Sequence, residues 1–147
     1  MTELSTYMRG FKTYMAKNAT SLQPYSSDRN WLEFAIPGQT VCHINVYHDF
    51  IKKQIGVALM IYQPEPSPIF ERLAQNKIEI ENKIGDEKRK RLEWQPSNAV
   101  ANPYACILVV RGIEKDEISN PDMWTAHYEW LMTYLDRFIK VFSEELA

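Results

Sequence analysis

The sequence has few of the residues that mark specialised protein classes. Two cysteines, Cys42 and Cys106, occur in 147 residues, which is too few for the disulfide framework of a small secreted protein. Both lie in apolar, strand-like runs, so buried free thiols are favoured over a redox or metal pair. Residues 1–4 do not resemble the start of a signal peptide, and no apolar run approaches the roughly 18 residues of a membrane span. We therefore expect a cytoplasmic protein with no membrane contact.

The sequence also has few glycines and a small net charge. The five glycines are not clustered, which argues against phosphate loops and dinucleotide-binding motifs. Lys and Arg number 17 and Asp and Glu number 19, giving a formal net charge of −2; dedicated nucleic-acid modules are usually basic. The length fits one domain, predicted over residues 1–147. No cofactor is indicated.

The first half of the chain is rich in periodic apolar residues. Residues 2–18 carry them three or four positions apart and predict a helix. Residues 31–62 alternate between apolar and polar in three runs, which predicts an antiparallel meander with one strongly apolar face. Ser67 and Pro68 suit the start of a second helix, which ends at Gly85.

The second half predicts two strands and a long helix. Residues 92–95 form a short strand, and residues 104–111 form a strand that is apolar on both faces and so lies near the centre of a sheet. Asn120 and Pro121 begin a last helix of about six or seven turns. The predicted order is α-β-β-β-α-β-β-α: an α+β fold with a five-stranded, mostly antiparallel sheet packed with three helices.

Histidines and carboxylates do not form a recognisable catalytic pattern. His43 and His48 lie five residues apart on a strand, so they point to opposite faces and do not bind one metal. His48 followed by Asp49 is compatible with a general base, although turn chemistry is favoured. His127 lies in no H-E-x-x-H pattern. Glu93 is not followed by the lysine that a metal-dependent nuclease would need, so we predict no metal site and assign no catalytic residue.

Three sets of residues remain as candidate sites. Polar side chains on one sheet face converge if the meander pairs in register, giving either a small enzyme site or a solvated face, the latter favoured: His43, Asn45, Tyr47, Glu33 and Gln54. A basic run offers candidate phosphate contacts or a solvated loop, the latter favoured: Lys88, Arg89, Lys90 and Arg91. A second apolar line on the last helix is a candidate interface for a homo-oligomer or a partner protein: Trp130, Tyr134 and Val141. The net charge ranks self-association above nucleic-acid binding.

Several short motifs carry a family resemblance. They are Trp31 with Phe34, Ile55-Gly56-Val57, the Phe70/Leu73 helix ending at Gly85, Leu92-Glu93-Trp94, and Trp124-x-x-His127-Tyr128-Glu129-Trp130-Leu131. Together, over about residues 5–143, they resemble a bacterial family without assigned activity, domain of unknown function 4268. In that family the domain often follows a predicted restriction-type nuclease, and no catalytic residues can be carried over. The resemblance implies a setting in nucleic-acid processing or defence.

These observations favour a non-catalytic binding or assembly module in a bacterial nucleic-acid processing or defence system. The alternative is a small enzyme with its site on the polar sheet face around His43, Asn45 and Tyr47.

Overall fold

A computed structural model describes residues 3–18, 22–62, 67–85, 92–97 and 104–147. Within these ranges the chain forms an α+β fold, as predicted, with one six-stranded sheet and five α helices. The elements are α1 (Thr6–Lys17), β1 (Ser26–Asp28), β2 (Trp31–Ala35), β3 (Cys42–Asp49), β4 (Gln54–Ile61), α2 (Ser67–Gln75), α3 (Lys77–Ile84), β5 (Glu93–Gln95), β6 (Ala105–Gly112), α4 (Lys115–Ile118) and α5 (Trp124–Glu145). A short 3-10 turn, Pro121–Met123, leads into α5.

The sheet has the strand order β1-β2-β3-β4-β6-β5, and all its neighbouring strands are antiparallel. The meander predicted over residues 31–62 is confirmed as β2, β3 and β4. The two central strands pair over eight residues, from Cys42 opposite Ile61 to Asp49 opposite Gln54. This long register fixes which side chains share a face.

The helices cover one side of the sheet, called here the helix face. Alternate strand residues on this face are buried in one cluster with helical side chains. Phe34, Ile44, Val57, Leu59 and Ile107 come from the strands, and Phe11, Ile80, Leu131, Leu135 and Phe138 come from the helices. The apolar periodicity of α1 and α5 is explained by this packing. All the polar residues of the candidate sheet-face site are left for the other side.

The structure differs from the prediction in three elements. The segment Ser26-Ser27-Asp28, expected to be a loop, forms β1; it has no apolar alternation, and its pairing with β2 defines it as a strand. The predicted second helix is divided at Asn76, where φ is −107° and ψ is 23°, into α2 and α3. The short polar helix α4 was not predicted, because it has no buried residues. β6 lies between β4 and the edge strand β5, one position away from the sheet's centre.

Candidate functional site

The side of the sheet opposite the helices, called here the open face, carries four rows of side chains, the fourth being Asp49, Gln54 and Gly112 at the end of β3. Residues paired across antiparallel strands point to the same face, so the register defines each row. The first row is Ala35, His43, Met60, Cys106 and Gln95; the second is Glu33, Asn45, Ala58, Leu108 and Glu93; the third is Trp31, Tyr47, Gly56 and Val110.

The centre of the open face is apolar and buried. Ala58, Cys106 and Leu108 are only 3%, 7% and 8% exposed, and they form a second cluster separate from the core. Within the described part of the chain, this cluster and the apolar side chains packed on it, such as Met60, all come from strands. Because these side chains are apolar, the open face differs from a uniformly polar, solvated sheet surface.

Tyr47 lies flat on this face because its cross-strand partner is a glycine. Tyr47 is paired with Gly56, and a Cβ at Gly56 would approach the Tyr47 ring and hydroxyl to between 2.5 and 2.7 Å. A side chain at position 56 would therefore displace the tyrosine. The absence of one places the Tyr47 ring across the sheet.

A polar cluster around Glu33 adjoins the apolar centre. Trp31 Nε1 donates to Glu33 Oε1 at 3.2 Å, and the Tyr25 hydroxyl also donates to Glu33. His43 Nε2 lies 3.7 Å from Glu33 Oε2, too far for a hydrogen bond. The carboxylate is thus held mainly by aromatic donors.

His43 is buried within this cluster. It is 9% exposed, and its ring stacks on that of Tyr62 with centroids 4.4 Å apart. Burial lowers the pKa of His43, while the neighbouring Glu33 carboxylate opposes the shift. His43 Nε2 and Asn45 Oδ1 are both buried and have no hydrogen-bond partner. His43 Nε2 is therefore not accessible for proton exchange with a substrate.

The register brings only part of the predicted sheet-face site together. Glu33, His43 and Asn45 lie in adjacent rows, and Tyr47 lies one row further along β3. Gln54 pairs with Asp49 at the far end of the strand, six residues from His43. At about 3.3 Å per residue this separation is roughly 20 Å, so Gln54 does not join the cluster around His43.

The ionised side chains of the open face carry one sign of charge. Asp28, Glu33, Asp49 and Glu93 all lie on this face by register. The described residues of this face include no lysine or arginine. Within the described ranges, the one basic side chain within 4 Å of any of these four carboxylates is His43, beside Glu33. The open face thus combines an apolar centre with carboxylates around it.

A cavity of about 460 Å³ lies beside the third row. Its apolar lining includes Ala58, Met60 and Leu108, and Trp31 and Tyr47 also line it. Asn30, Asn45 and Asp49 contribute polar groups. The volume lies within the range of roughly 300–1,000 Å³ that is usual for small-ligand pockets.

The other two histidines belong to a buried group that joins α1 to the rest of the molecule. His127 Nε2 lies 2.8 Å from Glu117 Oε2, and its Nδ1 lies 3.1 Å from the Tyr7 hydroxyl. Because a carboxylate only accepts, Nε2 donates and leaves Nδ1 to accept from Tyr7. The hydrogen bond from His127 lowers the pKa of Glu117. His127 and Tyr7 are each 1% exposed, so this group is structural.

The predicted α5 interface has mostly been covered by the chain itself. Tyr134 and Val141 are 3% and 5% exposed and belong to the core. Trp130 is half-buried, with its ring centroid 4.8 Å from that of Tyr134. Two of the three residues therefore offer little surface to another molecule, and self-association through α5 stays a prediction.

The remaining predicted features concern charge, metals and membranes. The basic run Lys88, Arg89, Lys90 and Arg91 lies outside the described residues, so its phosphate contacts stay a prediction. In the described ranges, no three His, Cys, Asp or Glu side chains converge to hold a metal ion. Among the same residues, no helix is both long and apolar enough to cross a membrane.

Sequence reasoning missed Trp31, Asp49 and the apolar floor of the cavity as site residues. Trp31 was assigned to a strand and to a family motif, and Asp49 to a turn or, less favoured, to a general-base pair with His48. Their common face becomes visible once β2 is paired with β3, with Trp31 opposite Tyr47. The sequence did contain one indication of the cavity floor. Ala58 and Met60 alternate with the buried residues of β4, so the pattern placed apolar side chains on the face that was otherwise predicted to be polar.

Comparisons with known proteins give a family and nothing beyond it. No curated protein and no solved structure matches the chain. The family described as domain of unknown function (DUF4268) matches residues 5–146, nearly the whole chain. The chain belongs to the DUF4268 family, as its motifs had indicated.

Proposed function

We propose that this domain is a non-catalytic binding module whose partner docks on the open face of the sheet. The observation that carries the proposal is the cavity of about 460 Å³ on this face, whose lining includes Met60, Leu108 and Tyr47. Apolar patches bordered by polar residues are typical of interaction sites. The resemblance adds to the proposal that the partner belongs to a bacterial nucleic-acid processing or defence system.

The charge of the open face selects the chemistry of the partner. Four carboxylates and no described lysine or arginine surround the apolar cluster. Phosphate backbones are repelled by such a surface, whereas a basic protein segment with apolar or aromatic side chains complements it. A second copy of the chain would bring like charges together at this face. We therefore propose a basic segment of another protein as the occupant.

The alternative of a small enzyme draws on one observation. His43 is buried next to Glu33, with its pKa lowered by burial, and perturbed titratable groups often mark active sites. A general base must also reach the proton that it abstracts. His43 Nε2 is fully buried without a partner, which favours a structural role for this pair and hence binding over catalysis.

Peptide selection tests the proposal while the identity of the partner is still open. A library of random peptides displayed on phage is selected on the immobilised domain, and enriched peptides are measured by calorimetry. We expect enriched peptides to combine Lys or Arg with aromatic or aliphatic residues. Their affinity should fall about tenfold or more for Met60→Arg, which adds a cation to the centre of the face.

Ile78→Arg is the matched control, because Ile78 is an apolar residue on α3 that is 76% exposed. Circular dichroism confirms that both variants fold. Peptides that bind the wild type and Ile78→Arg but not Met60→Arg support the proposal. Selection that enriches no peptide, or peptides that bind all three proteins equally, would overturn it.

A further inference from the structure

The cavity on the open face has the lining of a side-chain pocket. Met60 and Leu108 supply apolar surface, and Trp31 and Tyr47 add aromatic surface. Tyr47 lies across Gly56, in the space that a side chain at position 56 would need. The pocket therefore offers apolar and aromatic surface to a long, partly apolar group.

The polar groups of the cavity include a carboxylate and a side-chain amide oxygen. Asp49 Oδ1 accepts from the backbone N–H of Lys52 at 3.0 Å, and this bond uses one of the two carboxylate oxygens. Asn45, whose Oδ1 is buried without a partner, also lines the cavity. The lining residues, all in the described part of the chain, include no lysine or arginine. A ligand with several N–H donors and a positive charge matches this set.

We infer that the cavity receives an arginine side chain of the partner; the inference rests on the proposed function and names its anchoring residue. The aliphatic stem of arginine packs on Met60 and Leu108, as long charged side chains commonly do. The planar guanidinium stacks on aromatic rings and forms charge-assisted hydrogen bonds with a carboxylate such as Asp49. Lysine fits less well, because its ammonium is compact and strongly hydrated.

A pair of small probes tests the anchor directly. N-acetyl-arginine amide and N-acetyl-citrulline amide have nearly the same shape, but only the first is charged. Each is titrated into ¹⁵N-labelled protein while the indole N–H signal of Trp31 is followed. We expect saturable shifts of this signal with the arginine probe, and about tenfold weaker binding of the citrulline probe.

Two variants locate the effect. Asp49→Asn keeps an oxygen acceptor for the Lys52 N–H but removes the charge, and should weaken the arginine probe about tenfold. Glu93→Gln removes one charge from the same face outside the cavity lining and should change affinity less than about twofold. Equal binding of the two probes, an unshifted Trp31 signal, or equal effects of the two variants would each overturn the inference.

The result is separable from the fate of the proposed function. If selected peptides bind the open face but the arginine probe leaves Trp31 unaffected, the anchor is wrong and the binding module stands. If the probe fills the cavity but selection enriches no peptide, the anchor is supported and the protein-binding proposal fails.

Discussion

Among single residues, His48 is a group whose protonation the fold opposes. Its ring lies near those of Tyr7 and Phe50, with centroids 5.2 and 4.1 Å away, and burial lowers its pKa to about 4. His48 Nε2 shares a hydrogen bond of 2.9 Å with Ser5 Oγ, which also accepts from the Met8 N–H as the cap of α1. His48 Nδ1 is buried without a partner, so a second ring proton would find no acceptor.

His48 should make the fold sensitive to mild acid. The pKa is about 4 in the folded chain and about 6.5 when the side chain is exposed, so the unfolded chain binds more protons between these values. The free energy of unfolding therefore keeps the full contribution of neutral His48 above pH 6.5. It decreases by about 3 kcal/mol as the pH falls from 6.5 toward 4. We expect His48→Gln to flatten the pH dependence of urea unfolding in this window.

Comparing the wild type with His48→Gln isolates the effect of His48 on the pH dependence. His43, whose pKa is also lowered, is present in both proteins. Parallel stability profiles between pH 7.5 and 4.5 would contradict the prediction.

Among the elements, the pairing of β3 with β4 shapes the site. Tyr47 lies across Gly56, so a methyl group at position 56 meets the ring within 2.7 Å. Gly56→Ala should destabilise the fold by about 1–3 kcal/mol, the usual effect of overpacking. In a Tyr47→Ser background the same change should be close to neutral, because the three atoms nearest the added methyl belong to Tyr47. Chemical unfolding of the four proteins in this double-mutant cycle gives the coupling.

Gly112→Ala serves as the control for this cycle. Gly112 lies at the end of β6 and has no atom within 4 Å of an added Cβ. If Gly112→Ala destabilises the protein as much as Gly56→Ala, the effect comes from glycine in a strand and not from Tyr47.

Elements with periodic apolar residues, buried on one side, were predicted from the sequence more accurately than elements without such a pattern. The alternation of β3 and β4 gave the correct face to His43, Asn45 and Tyr47, because burial of Ile44 and Val46 requires it. Ser26–Asp28 has no such pattern, so β1 was missed. The cavity depends on which residues of β2, β4 and β6 stand opposite each other, and that register is set by long-range pairing rather than by local sequence.

At the scale of the whole molecule, the net charge of −2 hides an uneven distribution. The 17 basic residues nearly balance the 19 acidic ones. On the described open face, however, the charged side chains are all carboxylates, and burial lowers the pKa of His43 there. Repulsion between like charges opposes contact between two such faces. The carboxylates therefore oppose contact between two copies at this face and complement the basic partner that we propose.

Removing three of these charges should promote self-association. We expect the Asp28→Asn, Asp49→Asn, Glu93→Gln triple variant to form dimers or larger species at lower concentrations than the wild type, as measured by light scattering over a concentration series. Glu33 is left unchanged because Trp31 and Tyr25 donate to it.

A triple variant with the same net charge provides the control. Glu71→Gln, Glu129→Gln and Glu144→Gln alter exposed helical residues, and this protein should behave as the wild type does. Equal association of both triple variants would show that net charge, and not the open face, controls solubility.

The short edge strands limit how this sheet can meet other molecules. In the described sheet, β1 and β5 each contain three residues and stand at opposite ends. Such brief edges present few unpaired backbone groups, which disfavours sheet extension by an added strand and growth into fibrils. Backbone pairing accepts almost any extended chain, whereas side chains discriminate. If a partner binds as we propose, it should therefore contact the broad surface of the sheet and not its edges, and its side chains rather than its backbone should determine specificity.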